Sequence, residues 1–323
     1  MTERVLDPPK LVRRRDTDAS LGIAFALMIA FFVVAPFFVY PIFLMKALCF
    51  ALFACAFNLM IGYVGLASFG HALFFGWASY FTAYAAKSWG WPPEAAIILG
   101  MIGAALLGAI AGALAIRRQG IYFAMITLAL AQMMYFFALE AKFTGGEDGI
   151  QGVPRGRLFG LFDLSHETTM YAFVAVVVVA GILFIYRVVN SPFGEVLKAI
   201  RENEPRCVSL GFRTERYKLL AFILSATLSG LAGSMKALVF QLASLTDVHW
   251  TMSGDVLLMT LLGGLGTMLG PVVGAFAVVG MQNYLAPFGQ WVLVIQGAIF
   301  VVCVLLFRRG IVGELAQLLR VRL

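Results

Sequence analysis

Only one side chain that titrates near neutral pH lies inside the long charge-free runs of this 323-residue chain: His71, in Gly65-Leu-Ala-Ser-Phe-Gly-His71-Ala. An imidazole in apolar surroundings can hold a metal, relay a proton or make one well-placed hydrogen bond. His166 and His249 are remote in sequence and no His-Glu-x-x-His pattern occurs, so a zinc hydrolase is a poor reading and no metal site is assigned. Proton- and sodium-coupled transporters keep Asp, Glu or His within the membrane, and those parts are not obvious here. Ser68 or a carbonyl freed by the neighbouring glycines is the expected partner of His71. Two roles follow: a tie between a broken segment and its neighbour, or a wall of a translocation path. Gly-Lys-Ser/Thr and Gly-x-Ser-x-Gly are both absent, so the chain is expected neither to hydrolyse ATP nor to act as a serine hydrolase, and no bound cofactor is expected.

Two further constellations lie outside the charge-free runs. In Ser191-Pro-Phe-Gly-Glu-Val-Leu-Lys-Ala-Ile-Arg-Glu-Asn-Glu204, Pro192 suits a first helical turn, and Phe193, Val196, Leu197 and Ile200 fall on one face. The other face carries Glu195, Lys198, Arg201 and Glu202, and Gly211 ends the element. Such a helix lies on a membrane surface or docks in the groove of a cytoplasmic partner, and the expectation is that Phe193 and Leu197 enter that groove. The second constellation is Thr144-Gly145-Gly146-Glu147-Asp148, followed by Gly149, Gly152 and Pro154, where glycines permit tight turns and two acids stand at the tip. It is either a turn-rich connection or a seat for an external binding protein.

The elements that must carry these residues follow from composition. Hydrophobic residues make up 61% and charged residues 13%, and mean hydropathy is +0.91, so polar surface for a water-soluble globule is missing. The 29 Phe and 33 Gly fit an all-α integral membrane protein whose helices face lipid and pack closely, and the alternating short segments of an outer-membrane barrel are absent. Ten membrane segments are expected, at about 20–40, 42–61, 64–86, 94–116, 120–140, 168–187, 217–242, 253–264, 268–287 and 289–308, the eighth short enough to be re-entrant. On one side of these segments fall 18 of the 24 Lys and Arg. That places residues 1–19, the 188–216 loop and the 309–323 tail in the cytoplasm, and the 141–167 loop outside. The net charge of +7 then reflects lipid topology rather than nucleic acid. The residues before Ser20 are too polar for a cleavable signal peptide, and Cys49, Cys55, Cys207 and Cys303 show neither paired spacing nor a secreted framework.

Gly62-Tyr-Val-Gly65 with Gly70 and Gly76 is echoed by Gly263-Gly-Leu-Gly266 with Gly270 and Gly274, and Pro271 adds an interruption. Glycines of this kind let helices approach, or they break helices that line a substrate path; on the second reading the path holds Gly62, Gly65, Ser68, Gly70, His71, Gly263, Gly266 and Gly270. The charge-free runs offer no fixed counter-charge for a charged substrate.

Six motifs in order are similar to the M-type permease subunits of branched-chain amino-acid ABC importers. They are Phe57–Gly76, Gly120–Leu128, Thr144–Pro154, Ser191-Pro-Phe-Gly with Ala199–Glu204, Arg216–Phe222 and Leu261–Gly274. The resemblance implies an H-type permease partner, two cytoplasmic ABC ATPases that use ATP and Mg, an external substrate-binding protein and a bacterial-type inner membrane. It also makes 191–216 the coupling loop. Where the family commonly has a small Ala-Ala pair before the loop glycine, this chain has Pro205-Arg206-Cys207. Branched-chain or related amino acids come first among the implied substrates, with urea, amides and aromatic carboxylates as alternatives. An ion-coupled secondary transporter or channel is the rival mechanism.

Overall fold

The computed structural model describes residues 14–289, 291–306 and 310–318. The chain is helical almost throughout: α1 (Arg14–Val34), α2 (Pro41–Asn58), α3 (His71–Ser88), α4 (Pro93–Ala115), α5 (Ile121–Glu140), α6 (Glu167–Val189), α7 (Pro192–Glu202) and α8 (Glu204–Ser209). There follow α9 (Thr214–Phe240), α10 (Trp250–Gly263), α11 (Gly270–Leu285), α12 (Trp291–Leu306) and α13 (Gly310–Leu318). Four two-residue strands, β1 (Ile150–Gln151), β2 (Arg157–Leu158), β3 (Phe162–Asp163) and β4 (Leu242–Ala243), pair antiparallel as β1 with β4 and β2 with β3. Among the described residues five helices are long and apolar enough to cross a membrane: α2 with its extension to Val64, α4, α5, α6 and α9.

α3 packs chiefly against α9 and α4, and its Phe75 stacks on Phe50 and Phe53 of α2. Its Trp77, Ser79, Tyr80 and Thr82 are buried, which explains why this segment is less apolar than its neighbours: protein, not lipid, surrounds it. α4 shows how the packing works. Ile98, Ile102, Ile110, Leu106 and Leu114 form an exposed stripe at four-residue spacing, while Ala96, Gly100, Ala104, Gly108 and Gly112 form the opposite, buried face. Apolar burial gives no preference between lipid and protein, so the small face wins its contacts through close approach and hydrogen bonds. A Cβ at Gly108 would press on Ala226 and one at Gly230 on Ala104, both across the α4–α9 seam. Thr82 Oγ1 donates to Ser234 Oγ at 2.8 Å, and Ser79 Oγ donates to the Gly233 carbonyl at 2.7 Å.

Contacts sort the connections into two ends. At one end Gln119 reaches Glu204, Arg201 reaches Gly62, and Gly310 packs on Gly264. At the other, Val153 donates to the Gln241 carbonyl at 3.0 Å, Lys87 to the Gln151 carbonyl at 2.7 Å, and Arg155 to the Val239 carbonyl at 2.8 Å. The first end carries Arg117, Arg118 and the basic α7–α9 loop, matching the grouping expected from charge.

Several segment limits move. The second segment runs on past 61 as a π-helical turn, Leu59–Val64, and the third begins only at His71 because 65–70 is not helical. The first begins at Arg14 rather than 20, and residues 1–13 of the expected cytoplasmic segment lie outside the described residues. The expected C-terminal tail contains α13, whose Val312 is buried; Arg308, Arg309 and residues 319–323 are not described. The eighth segment is α10, 14 residues or about 21 Å. Before it, the chain turns at Gln241 (φ 55) and descends with only a short 3-10 turn, Leu245–Asp247: Asp247 meets Lys236 of α9, Val248 packs on Gly76, and Ser253 accepts from the Ala72 amide. α10 therefore starts level with the first turns of α3, far below Ser88. Irregular backbone is tolerated at such depth only when protein surrounds it.

Enlarging the small face is expected to separate α4 from α9. Ala104→Leu should destabilise by about 1–3 kcal/mol through overpacking against Gly230, whereas Leu106→Ala on the exposed stripe should stay within about 0.5 kcal/mol, both read by thermal unfolding in detergent.

Candidate functional site

The two glycine-rich interruptions meet. α2 ends at Asn58, the backbone widens into the π turn, and Gly65 closes it in the left-handed region at φ 82 while Leu66 N–H donates to the Met60 carbonyl at 3.1 Å. The second interruption is 264–269, between α10 and α11. Asn58, 3% exposed, bridges them: its Nδ2 donates to the Thr267 carbonyl at 2.9 Å, and its Oδ1 accepts from Gly266 N–H at 3.0 Å. A side-chain amide offers one donor and one acceptor side by side, which is what a stretch of backbone released from helix requires.

α7 reaches the same junction. The Arg201 guanidinium donates to the Gly62 carbonyl, and its aliphatic stem lies on Gly65, where a Cβ would stand 3.0 Å from Arg201 Cγ. At Gly266, held at φ 72, a Cβ would stand 3.3 Å from Arg201 Nη1. A cation is favoured at carbonyls left free near a helix C-terminus. Of the expected path glycines, Gly62, Gly65 and Gly266 thus sit at one junction under Arg201, and Gly263 and Gly270 form its α10–α11 crossing, with a Cβ at Gly263 pressed into Gly270.

His71 holds the far side of the first interruption, and its side-chain partner is Ser225 rather than Ser68. His71 Nε2 lies 2.8 Å from Ser225 Oγ on α9, and Ser225 Oγ donates to the Ala56 carbonyl at 2.6 Å. The serine proton being spent on Ala56, Nε2 carries the imidazole proton, and Nδ1 is left buried without a partner. Ser68 Oγ instead accepts from Gly70 N–H at 3.2 Å. Thr127 Oγ1 accepts from Phe69 N–H at 3.2 Å, and Ser253 Oγ from Ala72 N–H at 2.9 Å, so side chains of α5 and α10 serve the free amides at the start of α3. Phe57, Phe74 and Phe222 present edges to the His71 ring at centroid distances of 4.9, 5.7 and 5.9 Å. Ser68, Gly70 and His71 are all closed off, the histidine completely, so in this conformation they tie helices together.

The α7 helix forms as its spacing predicts, with Ser191 as N-cap and Pro192 in the first turn. The apolar stripe points elsewhere than expected. Leu197 and Ile200 are buried against the bundle, and Phe193, half-buried, stacks on Tyr217 at 5.8 Å, so much of this face packs within the chain. Glu195 and Glu202 are exposed, Glu195 paired with Lys198 at 2.9 Å. α7 stops at Glu202, and Pro205-Arg206-Cys207 belong to the separate α8, capped by Asn203 Oδ1, which accepts from Arg206 N–H at 3.0 Å. Glu204 anchors α8 from both sides, to Lys218 Nζ at 2.5 Å and from Gln119 Nε2 at 2.7 Å. Beyond it Val208, Leu210 and Phe212 are exposed around Gly211, whose φ is 89.

In the 141–167 loop, Thr144 is buried and its Oγ1 donates to the Ala138 and Ala141 carbonyls, closing α5. Gly145, Gly146 and Gly149 all adopt positive φ, and Glu147 and Asp148 are exposed at the tip. The helices also carry charges that charge-free runs conceal: Lys46 on α2, Lys236 on α9 and Asp255 on α10, with Lys218 near the start of α9. These fall within the expected segments 42–61, 217–242 and 253–264.

Removing the Arg201 bond should free the first interruption. Arg201→Ala is expected to raise amide exchange at 62–66 by about tenfold or more, the loss of one charge-assisted hydrogen bond, with α4 exchange unchanged. Asn58→Ala should do more, because it strands two buried backbone groups at about 1–3 kcal/mol each and lowers the thermal midpoint by several degrees.

Comparison with known proteins bears on this architecture. The family model described as branched-chain amino acid transport system / permease component matches residues 39–304. Among curated relatives, the high-affinity branched-chain amino acid transport system permease protein LivM of Escherichia coli is 27% identical over 79% of this chain and 65% of its own length. The LivM of Salmonella typhimurium is 26% identical over the same shares. A probable branched-chain amino acid transport permease protein LivM of Methanocaldococcus jannaschii is 29% identical over 57% of this chain and 54% of its own. The chain thus spans somewhat under two thirds of the length of the relatives it matches, and no solved structure matches it. With the family model covering the bundle from before α2 into α12, and both helix interruptions lying within it, the chain belongs to the family of branched-chain amino acid transport system permease components.

Proposed function

We propose that this multi-pass membrane protein is the translocating subunit of an ATP-driven ABC importer. It works beside an H-type permease partner, with two cytoplasmic ABC ATPases and an external substrate-binding protein, in a bacterial-type inner membrane. The α7 end faces the cytoplasm in this reading, supported by its surplus of Lys and Arg. The observation that carries it is the Arg201 bond from the loop helix to the first interruption. A push on the loop is transmitted directly to the place where two broken helices meet.

The ATPase contact is assigned to the outward face of the loop, not to the buried stripe. Val208, Leu210 and Phe212, with exposures of 55, 68 and 40%, form an apolar knob beside the charges of Arg206 and Arg213. Branched-chain or related amino acids are the first substrate class, supported by the names of the relatives. The Glu147–Asp148 tip is assigned to the binding-protein side.

In proteoliposomes holding the full assembly, uptake should require ATP on the ATPase side; uptake by this chain alone, driven by an ion gradient, would establish the secondary-transporter reading instead. Leu210→Asp with Phe212→Asp should abolish ATPase co-purification while leaving the permease folded. Phe193→Asp, which strikes the packed stripe, should lower the thermal midpoint first. Reversing charge at Glu147 and Asp148 should raise the binding-protein concentration needed for half-maximal uptake.

A further inference from the structure

We propose that the tip of the β2–β3 hairpin, Phe159, Leu161 and Phe162, inserts into the lipid leaflet at the end of the bundle opposite α7. The proposal needs only a membrane-spanning chain and stands apart from the importer reading.

Phe159, Leu161 and Phe162 are 71, 81 and 58% exposed, three large apolar side chains within four residues. A patch of this kind marks a protein or membrane contact. Its foot is rigid: Arg157 pairs with Asp163 and Leu158 with Phe162 across the hairpin, Leu164 N–H donates to the Gly156 carbonyl at 3.2 Å, and Leu164 and Val153 are buried. Leu161 N–H donates to the Leu158 carbonyl at 3.0 Å and closes a turn whose central residues, Phe159 and Gly160, both have positive φ, 50 and 72. Such turns favour Asn-Gly. A phenylalanine in the first place carries backbone strain, and what it adds over asparagine is an exposed apolar ring.

The hairpin stands where lipid begins. α4 has 23 residues and is about 35 Å long against a hydrocarbon core of about 30 Å, so its first turn lies at headgroup level. The hairpin is fastened to that turn: Phe159 N–H donates to Glu94 Oε1 at 3.3 Å, and a Cβ at Gly156 would stand 3.1 Å from Pro93 Cδ. Glu94 lies four residues before Ile98, the first member of the exposed stripe on α4, so the hairpin rests at the head of that lipid-facing row. Trp89 and Trp91, exposed and 5.1 Å apart, stand in the connection that leads into the same turn. Tryptophan is enriched at this depth, its ring among the headgroups. The tip is thus continuous with the lipid-facing surface of α4.

Chemistry favours lipid over a protein seat. The tip Phe159-Gly-Leu-Phe162 has no charged or hydrogen-bonding side chain, whereas a protein contact surrounds its apolar centre with polar groups. Arg157, exposed at the foot, supplies a cation at the level of lipid phosphate. Anchoring the tip also steadies this end of α9, because the same loop grips it: Arg155 Nη2 donates to the Val239 carbonyl at 2.8 Å, and β1 pairs with β4 just beyond Phe240.

The test attaches a bimane fluorophore at Leu161→Cys in the full chain, with Cys207→Ser and Cys303→Ser leaving only the buried Cys49 and Cys55 beside it, in phosphatidylcholine vesicles. A lipid nitroxide near the head of the acyl chain should quench this label about fivefold or more over one at Glu147→Cys, and aqueous iodide should reach it correspondingly less. Full iodide access at Leu161→Cys without lipid quenching overturns the proposal. Protection that comes only on adding the external binding protein also overturns it and assigns the tip to that partner. As a second measurement, Phe159→Ser with Leu161→Ser and Phe162→Ser should raise amide exchange over 157–164 in the vesicles by about tenfold or more. Equal exchange with and without these substitutions would mean that the tip holds nothing, and the anchor fails.

Discussion

The structure depends on one requirement: two stretches of backbone that leave their helices inside an apolar bundle must find partners for their amides and carbonyls. Asn58 meets that requirement for both at once, pairing with Gly266 and Thr267 across more than 200 residues of chain. Once the interruptions are joined, the crowding of Gly62, Gly263, Gly266 and Gly270 follows, because side chains at these positions would occupy the space of the opposing backbone. α13 then lies over the junction, with Gly310 against Gly264. A polar amide and a set of glycines thus do here what a continuous helix does elsewhere in the bundle.

Arg201 ties α7 to this junction. Its guanidinium bonds to Gly62 and its stem lies on Gly65, while the rest of α7 is fixed to the bundle by Leu197, Ile200 and the Phe193–Tyr217 stack. α8 is anchored separately through Glu204 to Lys218 and Gln119. The loop is therefore two short helices with two anchors, one at the broken helices and one at the base of α9. His71, by contrast, stabilises: fully buried, bonded to Ser225 and framed by aromatic edges, it fixes the start of α3 to α2 and α9.

Much of this was legible in the sequence, and the failures have physical causes. The positions of the glycine breaks, the α7 helix and the grouping of basic loops follow from residue type and spacing, which report local backbone freedom and lipid topology directly. Periodicity shows that Phe193, Leu197 and Ile200 share a face, but it carries no information on what that face meets; the bundle itself took it. Asn58 lay within a recognised motif, and a lone amide in the run Cys55-Ala-Phe-Asn-Leu-Met60 is a signal of a buried hydrogen-bond task. Lys46, Lys236 and Asp255 fall inside the expected segments 42–61, 217–242 and 253–264, but counting charge-free runs passes over them because each run stops at a charge.

The central claim is that the loop drives the junction through Arg201. The most direct test is the ratio of ATP hydrolysed to leucine transported by the reconstituted assembly carrying Arg201→Ala. The account predicts that the ATPases still dock and hydrolyse ATP while transport per ATP falls by about tenfold or more, the loss of a charge-assisted contact worth roughly 1.5–3 kcal/mol. An unchanged ratio would contradict it, and would mean that motion reaches the broken helices by a route that does not pass through this arginine.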